Sequence, residues 1–396
     1  MIEDVQIIND KWQKTIFAPT PSLPAYLISF SVMPNSYIQL SRQTSFGVTV
    51  RVNAASHVFA LRVLNIALIS FELLATIMEV PLPLNKINFI LVPFYDGGME
   101  NWGHVLLSES LASTGDDAHL IYVVAHELAH HWVGGKTTIK SWQYICLQED
   151  LTDFLAFKVV RALLNEDDRY NRFRLAKYVE IQLAEDFLSV GHSLVMPEQI
   201  TKETEEVDNF QITSHCYLKG VIMLETLESV VGEEYMFSTI KKLVSTQQFL
   251  DLSTFLHHFN KIKLDANTTL AEVYRFWFIQ GGFPSLLVEN KGSSYLIRQT
   301  SAVTWPLRLS STFSKPRFLF AESMALHETK MPFFINLNFT SFMRVNYDLN
   351  LWESIFRVTI LFQQIKPLLI ITTFILILIN VEISQLIRIF IDGHNS

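Results

Sequence analysis

Apolar and polar positions alternate between residues 24 and 52, in "PAYLISFSV" and "SFGVTVRV". Val, Ile, Tyr and Thr are frequent there, and the pattern predicts β-strands. "LPLNKINFILVPF" at 82–94 predicts a further strand that runs into the turn "DGG". From about residue 117 the period lengthens to that of a helix. Helices are expected over 118–133, 143–165, 168–190, 215–230, 233–246, 252–262 and 268–279. "QGGFPS" at 280–285 breaks this pattern and marks a domain boundary. After it "SLLVEN", "SSYLIRQ", "PLRLS" and "FFINLNF" predict the short strands of a small β domain. The order, a β segment, a mainly helical body and a second β segment, is that of an α+β, multidomain chain. Near the C-terminus, residues 367–391 hold an apolar run from Leu368 to Ile379. That run is shorter than the ~20 residues a spanning helix needs, so it reads either as a membrane anchor extended by its flanks or as a buried element.

Composition narrows the function classes. With 396 residues, 49% of them hydrophobic and 30 of them Phe, the chain can bury a sizeable core and is globular rather than disordered. A net charge of −8 without any block of Lys or Arg argues against a nucleic-acid partner. Cys146 and Cys216 are too few for a disulfide framework and leave the redox compartment open. The start, "MIEDVQIINDKW", has neither the basic nor the apolar region of a signal peptide.

The candidate chemistry centres on "VVAHELAHHWVGG" at 123–135. His126 and His130 are four apart, hence on one helix face, and ionisable groups in so apolar a stretch need a partner. Two neutral imidazoles one turn apart can hold a Zn²⁺ ion, with Glu127 beside the first ligand as general base. The plain alternative is a helix with polar residues facing solvent, but "IYVVA" and "WV" leave little solvent face. Eighteen residues separate His130 from Glu149, in the mostly apolar "YICLQEDLTDFLAF". A glutamate there completes a His₂Glu site with an open position for water. Asp153, one turn on, reads either as a carboxylate orienting a ligand imidazole or as a solvated acid grouped with Glu149 and Asp150. Upstream, "DGGMENWG" at 96–103 offers glycines that allow close backbone approach to a ligand, and Glu100 as the acid that can face one.

"GGMENWG", "HELAH", a glutamate nineteen after the second His, and "YLKG" at 217–220 occur in that order. Together they resemble the zinc aminopeptidases of the aminopeptidase N and leukotriene hydrolase family, the gluzincin aminopeptidases. "TPSLPAYLISF", "YRFWFIQGGFPSLLVE" and "FINLNFTSFMRVNYD" extend the resemblance over most of residues 12 to 353. It implies one Zn²⁺ per chain, held by His126, His130 and Glu149, and a peptide substrate with a free N-terminus. That amine would be bound at Gly97, Gly98, Met99, Glu100 and Asn101, with Glu127 and Tyr217 as catalytic residues. The implied domains are the end of an N-terminal β domain (1–53), a thermolysin-like catalytic domain (54–282), a small β-sandwich (283–350) and the start of a helical domain with an apolar tail (351–396). A plasma-membrane or extracellular setting follows from the resemblance, with the cytoplasm as the alternative. Asn267 and Asn338 lie in glycosylation sequons.

Departures accompany the resemblance. Asp150 stands where the family usually has Gly, Gln148 where it has Asn, and His131 where it has Gln; His131 reads as a partnered core or surface residue. The alternative function is a catalytically impaired, zinc- and peptide-binding relative.

Overall fold

The alternation at 49–54 becomes a strand with Val50, Val52 and Ala54 buried and Thr49 and Arg51 partly exposed in a computed structural model. The structure describes residues 2–164, 169–178, 193–195, 215–246, 249–312, 315–327, 333–336 and 339–362. The apolar run at 367–391, the sequon at Asn338 and the expected helix beyond residue 178 lie outside them. Two units are distinguished. The first comprises residues 1–138 with 155–164 and 237–249; the second takes the remainder.

The first unit opens with a hairpin of β1 (Ile2–Asn9) and β2 (Trp12–Phe17). Its main sheet holds β3 (Ile38–Gln43), β4 (Thr49–Ala54), β5 (Lys86–Val92), β6 (Gly98–Met99) and β7 (His104–Ser108), in the order β3-β4-β5-β7-β6. The strands at 38–54, grouped by sequence with residues 1–53, thus share a sheet with strands from 86–108. The physical reason is pairing: β4 lies parallel to β5, and β5 parallel to β7. A parallel pair needs a crossover. Helix α1 (His57–Met78) provides it between β4 and β5, capped by the Ser56 side chain accepting from the Phe59 N–H. Among the described residues α1 is the one helix long and apolar enough to cross a membrane. Its Val63, Leu64, Ala67, Phe71 and Leu74 are buried, and it packs on β4 and on α3.

A short α2 (Glu109–Ser113) precedes α3 (Asp117–Ala129), whose N-terminus is capped by Asp116 accepting from the His119 N–H. The sequence pattern extends this helix to residue 133. The backbone instead tightens, with His131 and Trp132 bonding three residues back, and Gly134 takes the turn at φ 114°. Helix α4 (Ile145–Leu164) follows, with residues 145–154 in the second unit and 155–164 in the first.

The second unit continues with helical residues 169–178, α5 (His215–Val231), the start of α6 (Glu233–Thr246), α7 (Leu252–His257) and α8 (Leu270–Ile279). Capping boxes Asp251/Thr254 and Thr269/Glu272 set the starts of α7 and α8. Helix α7 ends five residues earlier than the apolar spacing predicts, because Phe259 bonds the Leu256 carbonyl, a tighter turn that still buries its ring. Strands β8 (Ser285–Asn290), β9 (Tyr295–Gln299), β10 (Leu307–Leu309), β11 (Arg317–Leu319), β12 (Ser323–Leu326) and β13 (Arg344–Tyr347) follow. They form a four-stranded sheet ordered β12-β9-β8-β13 and the pair β10–β11, before α9 (Leu349–Phe362).

Cys146 in α4 and Cys216 in α5 are joined by a disulfide, a pairing that two cysteines alone do not disclose. Closing a loop across a separation of 70 residues removes unfolded-state entropy worth about 4 kcal/mol in the chain-entropy account. The double variant Cys146→Ala/Cys216→Ala is therefore expected to lose stability of that order, read as a lower urea midpoint. A midpoint equal to that of the oxidised wild type would show that the link contributes nothing.

Candidate metal centre

Helix α3 places His126 and His130 on one face, and the stretch from Leu120 to Ala129 is buried without a break. His130 Nδ1 lies 3.0 Å from the Val133 carbonyl oxygen, so its N–H donates there and Nε2 keeps the lone pair. The two Nε2 atoms approach to 2.9 Å. Two imidazole nitrogens that close are relieved by a cation or a proton shared between them. Glu149 of α4 completes the set: His126, His130 and Glu149, all buried, each offer one ligand atom within 4.8 Å of the others. Two nitrogens and one carboxylate oxygen form a donor set that fits a divalent transition ion with an open position.

Glu127 lies buried on the same helix, and its carboxylate explains a glycine of the upstream motif. A Cβ built on Gly98 would overlap Glu127 Oε1. Gly98 and Met99 form β6 against Leu107 and Leu106 of β7, while Gly97, at φ 67°, takes the turn before it. Asn101 is buried and donates from Nδ2 to the Tyr26 carbonyl. Glu100 is half-buried in this segment. Tyr95, which the sequence did not single out, belongs to the same environment. Burial raises the pKa of its phenol, and the negative charges of Glu127 and Glu100 raise it further.

The acids of α4 are not a solvated patch. Glu149, Asp150 and Asp153 are all buried, which removes the reading of Asp153 as a surface acid. Burial pushes the Asp150 pKa well above the usual carboxylate range, Asp153 and Glu149 add to that, and Lys219 opposes it. Neither Asp150 oxygen makes a hydrogen bond of normal geometry, although the Gly220 N–H faces the carboxylate and favours its charged form. The same carboxylate fills the space of a Cβ at Gly220, which accounts for the glycine of "YLKG". Lys219 is buried and donates to the carbonyls of Gln280 and Gly282 at 3.3 and 2.8 Å. Tyr217 is half-buried in the first turn of α5. The disulfide beside it brings Cys216 to 4.3 Å (Cα–Cα) from Cys146, one turn before Glu149.

His131 is buried, and burial drives its pKa down to about 4 against two backbone hydrogen bonds that raise it. It is neutral at pH 7, with Nδ1 facing the Glu127 and Leu128 carbonyls and Nε2 accepting from the Gly103 N–H at 3.1 Å.

The metal assignment predicts about one equivalent of tightly bound Zn²⁺ after dialysis, reduced strongly in His130→Ala and Glu149→Ala, as measured by elemental analysis. Retention of full zinc by both variants would remove it.

Several known proteins with aminopeptidase names are similar to this chain. Aminopeptidase Q from Homo sapiens is 26% identical over 393 residues, covering 89% of this chain and 39% of its own length. Aminopeptidase N from Homo sapiens is 26% identical, covering 88% and 40%. Probable aminopeptidase 1 from Saccharolobus solfataricus is 27% identical, covering 84% and 44%. The chain thus spans about two fifths of the length of the curated relatives it matches. The profile of the Peptidase family M1 domain matches residues 62–277, more than half of the chain. That match, over a stretch that holds the buried His126 and His130, places the chain in peptidase family M1.

Proposed function

We propose that the chain is a zinc-dependent aminopeptidase that hydrolyses the N-terminal peptide bond of peptides. The observation that carries this reading is the packing of Gly98 against the Glu127 carboxylate. It sets the segment that bears Glu100 directly against the general base, and a carboxylate on that segment supports capture of a free ammonium group.

Zinc held by His126, His130 and Glu149 would supply a Lewis acid that polarises the scissile carbonyl and acidifies a water molecule. Glu127 takes a proton from that water as its oxygen bonds to the carbonyl carbon. As the C–N bond breaks, Glu127 passes the proton to the leaving nitrogen. The Tyr217 hydroxyl donates a hydrogen bond to the oxygen on which negative charge develops. Glu100 receives the substrate's ammonium group, an opposite charge that anchors the free N-terminus. Residues 54–282 would form the catalytic domain. The disulfide supports an oxidising, extracellular or secretory setting, as does the exposed Asn267 of its sequon.

Glu127→Gln is expected to keep its zinc and to lose ~100-fold or more of the turnover of an aminoacyl-naphthylamide. Undiminished turnover would refute the role of Glu127. Stoichiometric zinc with no hydrolysis by the wild type would point to the impaired relative. Glu100→Gln should narrow the preference for free over N-acetylated peptides, seen in competition assays.

A further inference from the structure

The segment that bears Glu100 is held at both ends by helix α3 and the turn that follows it. At one end Gly98 abuts the Glu127 carboxylate, leaving no room for a side chain. At the other end the Gly103 N–H donates to His131 Nε2 at 3.1 Å. The His131 ring is itself fixed, since Nδ1 lies 3.1 and 3.2 Å from the Glu127 and Leu128 carbonyls of α3. That N–H, shared between two carbonyls, commits the ring to the tautomer whose Nε2 accepts. The Trp102 ring lies 5.7 Å from the His131 ring and covers Gly135, where a Cβ would overlap the indole. Gly103 adopts φ 67° and its carbonyl accepts from both the backbone and the side chain of Asn88. The intervening Asn101 side chain and Trp102 N–H are tied elsewhere, to the carbonyls of Tyr26 and Leu27. The span from Met99 to Trp102 is therefore held between two anchors, Glu127 on α3 and His131 in the turn that follows it.

We infer that His131 is a positioning residue that sets where Glu100 meets the substrate's amine, relative to the two histidines one and five residues before it. This rests on the aminopeptidase reading for its substrate and on the hydrogen bond to Gly103 for its geometry. The chemistry asked of residue 131 is specific: one acceptor for the Gly103 N–H and one donor for the α3 carbonyls. Glutamine offers both, and leucine, of comparable bulk, offers neither.

The test compares the wild-type chain with His131→Leu and His131→Gln. Zinc content, kcat and KM for an aminoacyl-naphthylamide, and amide hydrogen exchange over residues 99–103 are measured on each. His131→Leu should raise KM about tenfold, the equivalent of one buried hydrogen bond, with zinc retained and kcat changed far less. Amide exchange over 99–103 should accelerate in the same variant, while His131→Gln keeps wild-type KM and protection. An unchanged KM and unchanged exchange in His131→Leu would overturn the inference. A parallel loss of zinc and kcat at constant KM would also overturn it, because that marks a purely structural role. Should His131→Leu not fold, a tenfold rise of KM in a zinc-replete His131→Gln still refutes it. A wild type without hydrolysis would sink the aminopeptidase reading alone, since exchange over 99–103 reports the anchor without turnover.

Discussion

Charge taken out of water is the constraint on which this molecule turns. Helix α3 buries ten residues in succession, His126 and Glu127 among them, and these two and the buried His130 at its C-cap carry ionisable groups. Each needs a partner inside, because an unpaired buried charge costs far more than a helix of this length contributes. The local architecture reads as a set of answers to that demand. His130 leans its N–H on the Val133 carbonyl, the two Nε2 atoms converge with a carboxylate from α4, and His131 stays neutral between three backbone groups. The tightened turn after Ala129 and the glycines at 134 and 135 are the backbone's share, since they bring carbonyls and Trp102 to where the rings need them.

Carboxylates and glycines are paired in the same spirit. Glu127 occupies the volume a side chain at Gly98 would take, and Asp150 does so at Gly220. In each unit the missing Cβ gives an acid room close against the backbone. Asp150 is the more demanding case, with Asp153 and Glu149 on the same helix and Lys219 as the opposing charge. Lys219 is in turn held by the carbonyls of Gln280 and Gly282. Gly98 and Gly220 are thus the negatives of particular carboxylates, whereas Gly97 and Gly103 supply backbone freedom.

Much of this was legible before any coordinates. The interval of four between His126 and His130 puts both on one helix face, and the apolar flanks of Glu149 marked it as buried. The period-two pattern at 49–54 and the period of α5, α6 and α8 were equally plain. What stayed hidden depends on contacts between residues far apart in the chain, which leave no periodic trace. The partner of His131 is 28 positions upstream, the acid beneath Gly220 lies 70 positions before it, and two cysteines carry no record of whether they meet. Tyr95 escaped for a different reason: a phenol near two acids matters through their field, and a lone Tyr before "DGG" has no pattern to announce it.

The Cys146–Cys216 link gives the same polypeptide two covalent identities that differ by two hydrogen atoms. In the oxidised form one cross-link staples the helix of Glu149 to the helix of Tyr217. In the reduced form the same space holds two buried thiols, soft donors one turn from the carboxylate of the His126, His130 and Glu149 cluster. Loss of only one cysteine leaves one such thiol. Material made in a reducing cytosol and material secreted by a cell are then different proteins at this locus, although a sequencer reads them as one.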